Sequence, residues 1–133
     1  MQVTLPWPPK ELSPNARVHW SKRARAAKMY RQACMVLTRN AGLRICWDGD
    51  IHVFIDFYPP DRRRVDDDNL SSRFKAGRDG VADALVVDDR RFRAHPCLRD
   101  EVRAGGEVVL TVRENQAERY IGDRERKKPK KEE

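Results

Sequence analysis

Two groups of carboxylates interrupt an otherwise basic chain: Asp66-Asp67-Asp68-Asn69 and Asp88-Asp89. Ionised carboxylates this close repel one another unless a cation neutralises them. Their hard oxygens suit Mg²⁺, with Mn²⁺ as a substitute. If the first group opens a helix and the second lies where that helix returns toward a sheet, Asp66, Asp68 and Asp89 converge on one pocket. Alternation in an extended run through Val65 to Asp68 puts Asp66 and Asp68 on one side and Asp67 on the other. A plainer reading uses the same residues. Asp and Asn are favoured helix N-caps, an acidic first turn complements the helix dipole, and Asp88-Asp89 then serves as a turn. A calcium loop does not fit, because the sixth and twelfth positions from Asp66 are Ser71 and Gly77, where glycine and glutamate are required.

Arg62, Arg63 and Arg64 stand immediately before the first acidic group. Guanidinium groups there are placed to contact phosphates, while metals among the carboxylates offset the repulsion between those acids and a DNA backbone. The plainer alternative is a solvated arginine turn paired locally with the aspartates. His19, His52 and His95 form no catalytic spacing with Ser or Cys, and a GxxxxGK[ST] phosphate loop is absent, so no nucleotide cofactor is expected.

The elements that must position these residues belong to a chain of 133 residues, long enough for one domain with a modest core. Its net charge of +7 favours a polyanionic partner, although a basic surface can also be mere solvation. Cys34, Cys46 and Cys97 are far apart, with no CxxC pair, and read as reduced thiols. The start of the chain lacks a basic leader followed by an apolar run, and no long apolar span occurs, so a cytoplasmic protein without membrane contact is expected.

Gln2 to Leu5 reads as a strand ended by Pro6-Trp7-Pro8-Pro9. From Ser21, taken as the N-cap, apolar residues recur at helical spacing to Ala41, with Gly42 at the C-terminal cap. The other helix face carries Lys22, Arg23, Arg25, Lys28, Arg31 and Arg39. Ile51, Val53, Ile55 and Phe57 alternate with His52, Phe54, Asp56 and Tyr58, which predicts a strand with one face buried. A second helix is predicted from near Asn69 to Ala84, weakened in its middle by Gly77 and Gly80. Phe92 to Leu98 and Glu107 to Val112 complete the strands, with Gly105-Gly106 as a hairpin-like turn before the last. The expected fold is α/β of the α+β type: a small mixed β-sheet with two helices, order β-α-β-α-β-β, with an antiparallel pair at the C-terminal end. Residues 1–113 make the expected domain, and 114–133 a charged tail, too poor in large aliphatic residues to order itself.

Leu5-Pro6-Trp7-Pro8-Pro9, Pro60-Asp61-Arg62-Arg63-Arg64, Asp66-x-Asp68-Asn69-Leu70 and Val87-Asp88-Asp89 together resemble the RusA family of Holliday junction resolvases. In order and spacing the resemblance covers most of residues 1–113. It implies a homodimer of small protomers that cuts four-way DNA junctions with a divalent metal. It carries the family's catalytic aspartates onto Asp66, Asp68 and Asp89. The family lysine usually follows DNL after one residue, which here is Ser72; Lys75 fits the KxxxD pattern of Lys75-Ala76-Gly77-Arg78-Asp79 if about three residues are inserted, and takes that role. Val65 departs from a basic continuation of the arginine run, and Gly80 from the expected alanine. Two other functions remain open: a non-catalytic DNA-binding protein on the same fold, and a nuclease for forks and flaps.

Overall fold

The computed structural model describes residues 1–63 and 67–115, without the side chains of 67 and 68. Its elements are β1 (Gln2–Pro6), α1 (Trp20–Asn40), β2 (Ile51–Tyr58), α2 (Asp67–Arg73), α3 (Lys75–Leu85), β3 (Phe92–Leu98) and β4 (Glu107–Arg113). Short 3₁₀ turns occupy Lys10–Leu12 and Asp89–Arg91. The four strands form one mixed sheet in the order β1-β4-β2-β3. The expected mixed sheet with helices is thus present.

Its internal pairing differs from the expectation. β3 runs parallel to β2, joined through α2 and α3, as a parallel pair requires a crossover connection. β4 lies antiparallel to both β1 and β2 and does not touch β3, so no hairpin forms at the C-terminal end. The physical reason lies in side chains. Val108, Leu110 and Val112 are buried and gain from a central position, whereas β3 carries Pro96, which has no amide to donate, and fits an edge. Gly105 and Gly106, both at φ +77°, still make the turn that β4 needs. A Cβ on Gly106 would lie 2.8 Å from Trp7, whose ring also meets Phe57 edge-on.

The second predicted helix is two, so the described residues form three α-helices. The chain bends at Phe74, which is buried edge-on to both Phe57 and Tyr30. Gly77 and Gly80 are not weak points. They are where α3 abuts α1: a Cβ at Gly80 would stand 2.2 Å from the Arg31 carbonyl oxygen, and one at Gly77 2.7 Å from the Tyr30 and Phe74 rings. The cap of α1 also shifts by two residues, since His19 precedes the helix and its Nδ1 accepts from the Ser21 amide at 3.2 Å.

Helices cover one sheet face, where Val3, Leu5, Ile51, Val53, Ile55, Phe57, Val108, Leu110 and Val112 join Tyr30, Cys34, Leu70, Phe74 and Val81 in the core. Burying these side chains is the main stabilising contribution. Burial in β2 exceeds the alternation expected. Phe54 is buried beside His95, its ring stacked at 4.6 Å, and Asp56 is buried against Arg99. Among the described residues no helix is long and apolar enough to cross a membrane.

Candidate active site

Strand β2 delivers the chain into the segment that carries the predicted chemistry. Asp61 closes the turn after the strand: its Oδ1 accepts from the Arg63 amide at 3.0 Å, and its Oδ2 lies 3.3 Å from Arg63 Nε. Arg63 is therefore paired with Asp61, while its side chain stays 88% exposed. Arg62 is also exposed. Arg64, Val65 and Asp66 lie outside the described residues, as does the side chain of Asp68. The backbone at Asp67 and Asp68 is already helical, so alternation along an extended run does not extend through Asp68.

Lys75 opens α3 and projects into solvent, its Nζ 3.5 Å from Asp79 Oδ2 one turn on. Helix α3 ends at Val86, a left-handed residue at φ 56°, and Val87 donates back to the Ala82 carbonyl. This reversal hands the chain to Asp88 and Asp89. Asp88 caps the short turn, accepting from the Arg90 amide at 2.9 Å. Asp89 is half-buried, and among the described residues its carboxylate has no hydrogen bond or salt bridge. A carboxylate held in place yet unspent on the protein is suited to a cation. Among the described residues no three His, Cys, Asp or Glu side chains stand close enough to hold a metal ion. Asp66 and the side chain of Asp68 lie outside those residues, and within them Asp89 is without a partner.

The acidic side of α3 reaches α1 through Arg31, one of the basic residues on the other face of the first predicted helix. Arg31 Nε meets Asp83 Oδ2 at 2.7 Å, with a second bond to Oδ1. The Asp83 hydrogen bond raises the guanidinium's pKa, helped by Asp79 and Asp89. The same bond holds Asp83 below the ordinary carboxylate range. Asp79, Asp83 and Asp89 thus share the field of one cation. The signal for this was present in the i, i+4 spacing of Lys75, Asp79 and Asp83.

Much of the positive charge serves the fold. Arg23 donates to the carbonyls of Ser13 and Ala16, Arg73 to Pro8, and Arg91 to Trp47 and Gly49. Arg103 bonds Glu101 and Glu107 and lies 3.5 Å over the Tyr58 ring. Arg99 binds the buried Asp56 carboxylate at 2.7 Å. These roles were invisible in a net charge.

The other titratable groups lie in the core or on the sheet. His52 Nδ1 and His95 Nε2 are 2.9 Å apart, and burial, then the neighbouring His52, lowers the pKa of His95. All three cysteines are free; burial pushes the Cys34 thiol up to about 12, so it is inert at neutral pH. Burial likewise raises the Tyr30 hydroxyl, which donates to the Pro6 carbonyl at 2.6 Å.

No family model matches the chain. An uncharacterized protein of Xylella fastidiosa is 53% identical over 113 residues, spanning 83% of this chain and 74% of that protein. The crossover junction endodeoxyribonuclease RusA of Escherichia coli K12 is 32% identical over 118 residues, 84% of this chain and 92% of that enzyme. RusA of Escherichia coli O139:H28 is 31% identical over the same extent. With the acidic segment at the start of α2, Asp89 after α3 and this relationship along nearly the whole enzyme, the chain belongs to the RusA family of crossover junction endodeoxyribonucleases.

Proposed function

We propose that this chain is a Mg²⁺-dependent endodeoxyribonuclease that resolves four-way DNA junctions in the cytoplasm by paired, symmetric nicks. The observation that carries the reading is the alignment with RusA over 92% of that enzyme's length. The unspent carboxylate of Asp89 supports it from the chemical side.

In this reading Asp66, Asp68 and Asp89 hold the metal, and the donor set fits, being carboxylate oxygens alone. Bound Mg²⁺, or Mn²⁺ in its place, supplies Lewis-acid activation of the attacking water and charge stabilisation at the leaving 3′ oxygen. Asp89 stands in the short turn Asp89–Arg91 that packs near the end of α3. Lys75 exchanges its partner Asp79 for an oxygen of the scissile phosphate, offsetting the charge that grows there. Arg62, Arg63 and Arg64 hold the backbone on the approach side. A two-fold homodimer presents two such sites, matching the paired strands of a junction.

The test is a panel of end-labelled substrates: a four-way junction, a fork, a flap and a duplex of shared sequence, cut in Mg²⁺. Nicks paired across the junction and absent from the duplex are expected. Equal cutting of all four makes the protein a general nuclease. A monomer by sedimentation at the working concentration removes the basis for symmetric cutting.

A further inference from the structure

Between the α2–α3 bend and the edge strand lies a small open recess of about 40 Å³. Its floor is apolar, made by Ile55 of β2 with Ala94 and Pro96 of β3, and the Phe74 ring closes one side. The recess exists because β3 offers only a methyl group and a proline ring here, while the bend carries α3 toward α1. Its polar rim is Ser71, Lys75 and Arg78.

Arg78 distinguishes this place from every other arginine described above. Its Nε is buried and has no hydrogen-bond partner, and its guanidinium forms no ion pair among the described residues. Arg73 also has a buried, unpaired Nε, but its terminal nitrogen is bound to the Pro8 carbonyl and its guanidinium lies over Trp7. A half-buried cation needs a counter-charge, and a buried donor without a partner is costly. Among the described residues Lys75 is paired with Asp79, and no carboxylate is paired with Arg78. A phosphodiester supplies both the acceptor and the counter-charge that this guanidinium lacks among those residues.

We propose that the recess binds one phosphodiester of the DNA backbone, with Arg78 and the Ser71 hydroxyl donating to its oxygens while the adjoining deoxyribose rests on the apolar floor. The proposal rests on the nuclease reading above and adds a contact to it. Ser71 lies one helical turn beyond Asp68 on α2, so the bound phosphate neighbours the segment that carries the proposed metal ligands. Arg78 is then a positioning residue for the strand beside the cut. It was not singled out by any motif, because its meaning comes from having no partner.

The experiment measures junction binding in EDTA, where the DNA stays intact, across a series of salt concentrations. Arg78→Gln is expected to weaken binding about tenfold and to reduce the slope of log affinity against log salt by about one. Arg78→Lys, which keeps the charge, recovers most of the slope. The Arg78 Nε–H resonance of the wild-type protein gives a readout independent of any variant's folding, and is expected to shift on adding junction DNA and far less with inorganic phosphate. If the wild type binds DNA while the slope and the resonance stay put, the recess assignment is overturned and the nuclease reading survives. Equal shifts with inorganic phosphate and an unchanged slope make it a free-anion site, also overturning the proposal. A wild type that binds no DNA overturns both.

Discussion

Helix α3 borders two very different environments. Where Gly77 and Gly80 meet α1, backbone touches backbone, and the polar groups are largely answered: Tyr30 by the Pro6 carbonyl, Arg31 by Asp83. At the two ends of the same helix, the Arg78 guanidinium near its start and the Asp89 carboxylate beyond its finish have neither hydrogen bond nor salt bridge among the described residues. The contrast teaches a division of labour. The close crossing with α1 fixes the helix, and in the proposed reading Arg78 on it and Asp89 beyond it are kept for the phosphate and the metal. Strained or unpaired groups persist only where the surroundings over-determine them.

The largest effect is expected at the unsatisfied end. Asp89→Asn keeps the shape but removes the ligand charge, and should slow Mg²⁺-dependent junction cutting on the order of 10²–10³-fold with binding retained. Single-turnover cleavage beside a binding assay measures both. An unimpaired rate would end the division just described, because Asp89 would then be only a turn residue.

The sealed crossing is tested by Gly80→Ala. The added methyl meets the Arg31 carbonyl and the Met35 amide, backbone atoms that cannot swing aside, so a loss of about 3 kcal/mol is expected. Chemical denaturation reads it; a loss under about 0.5 kcal/mol would mean that the helices separate easily, contrary to a rigid scaffold.

Val86 sharpens the comparison from the opposite direction. It is 86% exposed and left-handed, a conformation that disfavours β-branched residues, so Val86→Gly should gain about 0.5–1 kcal/mol despite glycine's greater unfolded-state freedom. Destabilisation would show that the reversal into Asp88 depends on the valine side chain.

The smallest effect concerns the sheet. His95 titrates below its usual value, chiefly through burial and then through His52, so its neutral form is favoured in the fold. Its contribution is unchanged above the unfolded value near about 6.5 and is lost as pH falls through it, because the unfolded chain takes the proton more readily. His95→Gln should therefore flatten the drop in melting temperature between about pH 7.5 and 5.5. An identical drop in both proteins removes His95 from the pH dependence.

Local patterns were the most legible part of the fold. Alternation marked β2 and β4, the 3.6-residue period marked α1, and the pair Gly105-Gly106 marked a turn. Strand neighbours were not legible, since alternation states which face is buried and not which strand lies alongside; β4 therefore went to the wrong partner. Gly77 and Gly80 were read as weakness because propensity counts the cost of glycine and omits what a missing Cβ allows between helices. In the candidate site the acidic neighbour and the family pattern pointed to Asp89, and the spacing to Asp79 pointed to Lys75. Arg31 and Arg78 were not legible, because one pairs with a carboxylate 52 residues away and the other has no paired carboxylate among the described residues. Asp66 and the Asp68 side chain lie outside the described residues, so the proposed ligand set rests on Asp89 and on kinship.

The most direct test of the central claim is the mapping of nicks on all strands of an end-labelled four-way junction, incubated with the protein in Mg²⁺ and, in parallel, in EDTA. Symmetric nicks on two opposed strands in Mg²⁺, and none in EDTA, are predicted. Tight binding with no nicks in either Mg²⁺ or Mn²⁺ would contradict the account and leave a DNA-binding protein on a nuclease fold.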